Sequence, residues 1–273
     1  MFAELLENLK KRAPLIHSIT NYVTANDCAN LLLACGASPI MADDAGEAAE
    51  ITSRCDGLNI NIGTLDRRVI PAMLAAGKRA NELGHPVLLD PVGAGASALR
   101  TDTALELLRQ IHFSVVRGNV SEIKTLAAGS GSSRGVDAGL ADRVTEETLE
   151  NAVVFAKGFA RRTGAVVAMT GEIDVVADGE RAFCIRNGHS MMSRVTGTGC
   201  QLSALTTAMA AANPQQITEA AAAAVCAMGL CGEIACRRLG AQDGNAACRS
   251  YIIDAVYRLT PEQLEEGARY EMR

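Results

Sequence analysis

The segment Val195-Thr196-Gly197-Thr198-Gly199-Cys200-Gln201-Leu202 precedes a long alanine-rich stretch. Glycines let a backbone turn its N–H groups toward one point, and the first turn of a following helix adds unpaired donors and the positive end of its dipole. A turn made of Gly197, Thr198, Gly199 and Cys200 can therefore hold an anion the size of a phosphate. Glycine pairs before helices also serve simply to let a helix pack closely, so this motif alone leaves both readings open.

Three further segments offer partners for such an anion. Asp90-Pro91-Val92-Gly93-Ala94-Gly95 puts a carboxylate at the end of an apolar run, where ligands bind in open α/β sheets, although Asp before Pro is also a common turn former. Val116-Arg117-Gly118-Asn119-Val120-Ser121-Glu122 repeats the arrangement with an Arg and, three residues beyond Asn119, a Glu. Glu122 can serve chemistry or close a capping box with Asn119. Met169-Thr170-Gly171-Glu172 adds a hydroxyl after another run. Two carboxylates and an Arg at one sheet edge would suit Mg²⁺ and a nucleotide phosphate, because Mg²⁺ takes oxygen ligands, often through water, and Arg grips phosphate with a planar fork. The chain has no GxxxxGK[ST] segment, so the site would not be a P-loop.

These segments need a scaffold that carries them to one edge. Short apolar runs over 37–41, 57–62, 86–90, 113–117 and 165–170 alternate with longer stretches of helical period, the mark of βαβ units and a mainly parallel sheet covered by helices. Residues 66–83 read as a crossover helix, with Val69, Ile70, Met73, Leu74 and Ala80 inward and Lys78 and Arg79 outward. Residues 174–185 read as a hairpin turning at Asp178-Gly179. From Cys200 onward the chain reads as helical to Ala212, stopped by Asn213-Pro214, then over 217–239 and 246–259. Residues 129–139 form the most linker-like stretch, read as a loop and not a domain boundary. At 273 residues the expectation is a single α/β domain spanning 1–273.

Composition removes several classes of function. A net charge of −5, a pI near 5.5 and no basic cluster longer than Lys10-Lys11-Arg12 argue against a grip on nucleic acid. With 3% aromatic residues and no Trp, base-stacking platforms are not expected either. The nine cysteines are odd in number and lack CxxC or CxxH spacing, which argues against zinc and a secreted disulfide framework and points to the cytoplasm. Phe2, Leu5, Leu6 and Leu9 form a helical stripe followed, not preceded, by basic residues, unlike a signal peptide. The apolar runs over 31–42 and 220–232 fall short of the roughly 20 residues a bilayer requires, so no membrane role is expected.

Across nearly the full length, an ordered set of segments resembles the hydroxyethylthiazole kinase family of the ribokinase-like superfamily. The set comprises Ser18-Ile19-Thr20-Asn21-Tyr22-Val23-Thr24, Gly36-Ala37-Ser38-Pro39-Ile40-Met41-Ala42 and Asn59-Ile60-Asn61-Ile62-Gly63-Thr64-Leu65. It continues through Leu89-Asp90-Pro91-Val92-Gly93-Ala94, Arg117-Gly118-Asn119, Thr170-Gly171-Glu172 and Thr196-Gly197-Thr198-Gly199-Cys200. The resemblance implies a three-layer α/β sandwich, ribokinase-like, without a separate lid domain. It also implies ATP-dependent phosphorylation of the primary alcohol of hydroxyethylthiazole, a thiamine-salvage step, by a homotrimer whose thiazole pockets lie between subunits.

On the same basis Arg117 and Thr170 would contact ATP, Asp90 and Glu122 would hold Mg²⁺ directly or through water, and Asn21, Met41 and Gly197 would line the thiazole pocket. Cys200 stands where most of the superfamily has a catalytic Asp. A thiol is a competent base only when its pKa is lowered, as a helix N-terminus can do, so Cys200 is either a base or a group that orients the substrate. Two other readings compete: an ADP/ATP-dependent dehydratase of hydrated nicotinamide cofactors, which normally keeps Asp at that position, and a non-catalytic nucleotide-binding protein. His17 and His189, each without a placed partner in sequence, are expected to be structural.

Overall fold

The computed structural model describes residues 1–129 and 143–273. Strands form over short, mostly apolar runs, four of which end at a polar residue, Asn61, Asp90, Asn119 or Thr170. They are β1 (Leu15–Ile19), β2 (Ser38–Ile40), β3 (Gly57–Asn61), β4 (Val87–Asp90), β5 (Val115–Asn119), β6 (Val166–Thr170), β7 (Asp174–Ala177), β8 (Ala182–Ile185) and β9 (Tyr270–Met272). Among the described residues they form one sheet in the order β2-β1-β3-β4-β5-β6-β7-β8-β9. The pairs from β2 to β6 are parallel, and those from β6 to β9 are antiparallel. Strands β3 and β4 are buried along their whole length, as a sheet covered on both faces requires.

One face packs against α1 (Phe2–Arg12), α2 (Ala25–Cys35), α8 (Thr198–Ala212), α9 (Ile217–Arg238), α10 (Asn245–Arg258) and α11 (Pro261–Gly267). The other packs against α3 (Ala48–Thr52), α4 (Ile70–Leu83), α5 (Ala98–Gln110), α6 (Val120–Gly129) and α7 (Leu149–Thr163). The result is a three-layer sandwich. Alternation along β3 sends Leu58 and Ile60 into the second layer's core, and so turns Asn59 and Asn61 toward α8. Helix α8 is buried on nearly every side and is rich in small residues, which lets it lie close over the sheet; a Cβ at Gly57 would stand 3.2 Å from the Ala211 methyl.

The strand order reverses between β1 and β3, since β1 leads outward to β2 and the chain then returns to the other side. In open α/β sheets this switch point opens a crevice at the C-terminal strand ends. Asn21 follows β1 there, and Asn61 ends β3.

Several elements differ from the sequence reading. Strand β1 escaped it because His17 and Ser18 interrupt the apolar run; both are buried, with His17 Nδ1 hydrogen-bonded to the Thr52 hydroxyl and Nε2–H donating to the Ala42 carbonyl at 2.7 Å. The crossover helix begins at Ile70, next to Pro71, which suits a first turn. Strand β5 starts at Val115 and runs on to Asn119. The hairpin turns as expected at Asp178, whose carboxylate accepts the N–H groups of Glu180 and Arg181. Gly129 closes α6, and residues 130–139 of the expected loop lie outside the described residues. Helix α9, at 22 residues, is long and apolar enough to cross a membrane, but 78% of its most apolar window is packed inside the fold.

Candidate active site

The site grows from strand ends and one helix start. Gly197, at φ +85, turns the chain into α8, and no side chain caps the first turn. Gln201 N–H returns to the Gly197 carbonyl, which leaves the N–H groups of Thr198, Gly199 and Cys200 as the turn's orphan donors. Arg117, from β5, lies against this turn: a Cβ on Gly199 would stand 2.5 Å from Nη1. Its Nη2–H donates to the Thr170 hydroxyl at 2.9 Å, which donates in turn to the Gly118 carbonyl. Nη1 is 3.6 Å from Asp90 Oδ1.

Asp90 is fully buried. Its Oδ2 accepts from Asn61 Nδ2 at 2.7 Å and from the Ser203 hydroxyl at 2.8 Å, while Oδ1 has no hydrogen-bond partner. Burial raises its carboxyl pKa, and the Arg117 guanidinium opposes that rise. Glu122 does close the capping box, with Oε2 accepting Asn119 N–H and Glu122 N–H donating to Asn119 Oδ1. It does more than cap, because Oε1 accepts Gly93 N–H at 2.8 Å and so ties α6 to the turn after β4. Among the described residues no three His, Cys, Asp or Glu side chains converge as a metal cluster. The two carboxylates are an all-oxygen donor set with an unpaired buried oxygen, which fits a hard cation held partly through water.

Cys200 lies beside the same group. Asn21 Nδ2 donates to Cys200 Sγ at 3.3 Å and to Asn61 Oδ1 at 2.9 Å, while Asn21 Oδ1 accepts the N–H and hydroxyl of Thr24. Burial first, and then the negative charge of Asp90, push the Cys200 thiol above its ordinary pKa. At neutral pH it is a thiol and a poor base.

The structure thus brings Asn21, Asp90, Arg117, Thr170, Glu122 and Gly197 to Cys200 to one sheet edge. Met41 follows the edge strand β2 and is 38% exposed, outside the buried hydrogen-bonded group. Sequence reasoning gave no role to Asn61, Ser203 or Thr24. A signal was present in Asn59-Ile60-Asn61, two amides on one face of an otherwise apolar strand. His189 Nδ1 accepts Met191 N–H and caps a 3-10 turn over Ser190–Arg194. Beside Arg117 opens a cleft of about 1100 Å³, lined by Thr170, Thr198 and Gly199 and also by Asn187, Val225 and Met228. Asp174 also lines it, and burial pushes its carboxyl up to about 7.

A parallel sheet turning antiparallel at one edge, with a glycine turn opening a central helix beside an Arg and two carboxylates, defines a ribokinase-like fold. Residues 6–262 match the profile of the "Hydroxyethylthiazole kinase family". A hydroxyethylthiazole kinase of Clostridium acetobutylicum is 59% identical over 271 residues, covering 99% of each chain. The solved structure of a hydroxyethylthiazole kinase protein from Pyrococcus horikoshii OT3 superposes with a TM-score of 0.87 at 36% identity, covering 100% of this chain and 98% of that one. The chain belongs to the hydroxyethylthiazole kinase family. An ADP/ATP-dependent NAD(P)H-hydrate dehydratase of Bacillus subtilis superposes at a TM-score of 0.59 and 15% identity, covering 91% of this chain and 90% of that one, a likeness of fold alone.

Proposed function

We propose that the protein transfers the γ-phosphoryl group of ATP to the primary alcohol of 4-methyl-5-(2-hydroxyethyl)thiazole, giving the thiazole phosphate and ADP for thiamine salvage and releasing the alcohol proton to solvent. The observation that carries this reading is the uncapped turn from Gly197 to Cys200 standing against Arg117, whose Nη1 is itself 3.6 Å from Asp90 Oδ1.

Phosphoryl transfer asks mainly for alignment and charge stabilisation. The cleft is large enough for a nucleoside triphosphate, with the phosphate end at Arg117, Thr170 and Thr198. The N–H groups of Thr198, Gly199 and Cys200 and the Arg117 fork face charge gathering on the transferred group. Asp90 and Glu122 would hold Mg²⁺, mainly through water; bound there, it supplies positive charge to the phosphate oxygens. Cys200, kept as a thiol, and Asn21 orient the acceptor alcohol beside the turn at Gly197.

Strands β1 and β2 are parallel, so the exposed Tyr22, Val23 and Met41 that follow them sit along the same edge. This apolar exposure supports a homotrimer in which a neighbouring subunit completes the thiazole pocket around Met41. The nine free cysteines suit a reducing cytoplasm, and the whole chain acts as one kinase domain.

The test is incubation with ATP, Mg²⁺ and hydroxyethylthiazole, followed by mass spectrometry. The phosphorylated thiazole is expected in amounts matching ADP. Its absence from an enzyme preparation of verified fold rejects the reading.

A further inference from the structure

Asn61 ends β3 with its side chain buried, between two groups that the proposed reaction uses separately. Its Oδ1 accepts Asn21 Nδ2–H and Gly63 N–H, both at 2.9 Å, and its Nδ2 donates to Asp90 Oδ2 at 2.7 Å. These partners fix which way the amide faces. A backbone N–H can only donate, so Oδ1 must face Gly63, and the Nδ2 group is left to face Asp90.

The orientation then propagates. Asn21 meets an acceptor at Asn61 and donors at Thr24, so its own NH₂ group faces Asn61 and Cys200, and the sulfur of Cys200 receives a hydrogen bond. A continuous chain runs Cys200, Asn21, Asn61, Asp90, with Arg117 beyond. No apolar side chain of similar size could serve, because Asn21 and Gly63 would lose their acceptor and Asp90 a donor inside the fold.

We infer that Asn61 is a positioning residue that sets the acceptor end of the site, Asn21 and Cys200, in register with the phosphate end at Asp90. This rests on the kinase reading above. Ser203 also donates to Asp90 Oδ2 but is not bonded to Asn21, so the two residues separate the roles. Loss of Ser203 disturbs Asp90 alone, and loss of Asn61 disturbs both ends.

The test is steady-state kinetics of Asn61→Ala, Ser203→Ala, Asn21→Ala and the double variant Asn21→Ala/Asn61→Ala, after the parent enzyme has been shown to phosphorylate the thiazole. Asn61→Ala is expected to raise the thiazole KM and to lower kcat, together costing about 10- to 100-fold in kcat/KM. Ser203→Ala is expected to lower kcat with the thiazole KM within about twofold of the parent. The double variant is expected to be little worse than its more damaged single parent, because the two residues act in one chain. Multiplying losses, or an Asn61 variant with parental thiazole KM, would overturn the inference. If Asn61→Ala does not fold, Asn61→Ser is measured and judged by the same outcomes. A parent enzyme without thiazole turnover would fail the kinase reading instead.

Discussion

The guanidinium of Arg117 lies against the bare Cα of Gly199, so that a Cβ there would stand 2.5 Å from Nη1 and 2.8 Å from Nη2. The Arg is also anchored to Thr170 and faces Asp90, so it cannot yield to an added methyl without leaving those partners. A flexible side-chain end can move at little cost to folding, but the site then loses its aligned cation. Gly199→Ala is expected to keep a near-parental melting temperature and lose about 100-fold in kcat/KM for ATP, on the scale of removing one oriented stabilising group. Activity within about threefold of the parent would show that this contact is idle.

Arg117 and Cys200 are expected to differ sharply. Arg117→Ala removes the charge facing the transferred phosphoryl and should lower kcat by about 100- to 1000-fold. Cys200→Ala should cost less than about tenfold, because a thiol held protonated by burial and by Asp90 is not the base, and loss of a true general base costs about 100-fold or more. The same protonation implies that iodoacetamide at pH 7 alkylates Cys200 more slowly than a free cysteine, which peptide mass spectrometry can follow.

Gly197 is constrained twice. Its φ of +85 disfavours any side chain, and a Cβ would stand 2.6 Å from Thr24 Cγ2. Gly197→Ala is expected to cost about 1–3 kcal/mol in urea unfolding. Adding Thr24→Ser, which deletes that methyl, should restore only part of the loss, because the backbone strain remains; full restoration would assign the whole cost to the contact.

Asp174 gives the cleft a pH dependence. Its half-buried carboxyl is pushed up to about 7 in the folded chain, above an unfolded aspartate, chiefly by loss of water around it at the cleft wall. The folded state therefore holds the proton more tightly, and this group's contribution to stability falls as pH rises from about 4 to about 7. Asp174→Asn, which cannot ionise, is expected to melt higher than the parent at pH 8, with the advantage shrinking toward pH 4. An advantage of constant size across that range would contradict the assignment.

Much of this arrangement was legible because it is written in local chemistry. The runs ending at Asp90 and Thr170, the turn at Asp178 and the glycines before α8 each carry a short-range signal, and the ordered motifs named the family. What stayed hidden depends on contacts remote in sequence. His17 reads as a break in an apolar run until Thr52 and Ala42 satisfy it. Glu122 reads as a helix cap until Gly93 is found on its other oxygen. Asn61 reads as a strand residue until Asn21 and Asp90, 40 and 29 residues away, close on it. The turn at Gly197 was visible, but not that Arg117 presses on its second glycine.

The most direct measurement is a crystal structure with a non-hydrolysable ATP analogue, Mg²⁺ and hydroxyethylthiazole bound together. The terminal phosphate is expected within hydrogen-bond distance of the N–H groups of Thr198, Gly199 or Cys200 and of the Arg117 guanidinium, with the alcohol oxygen between it and Cys200. A nucleotide whose terminal phosphate lies away from that turn, or a thiazole bound with its hydroxyl turned from Cys200, would contradict the account.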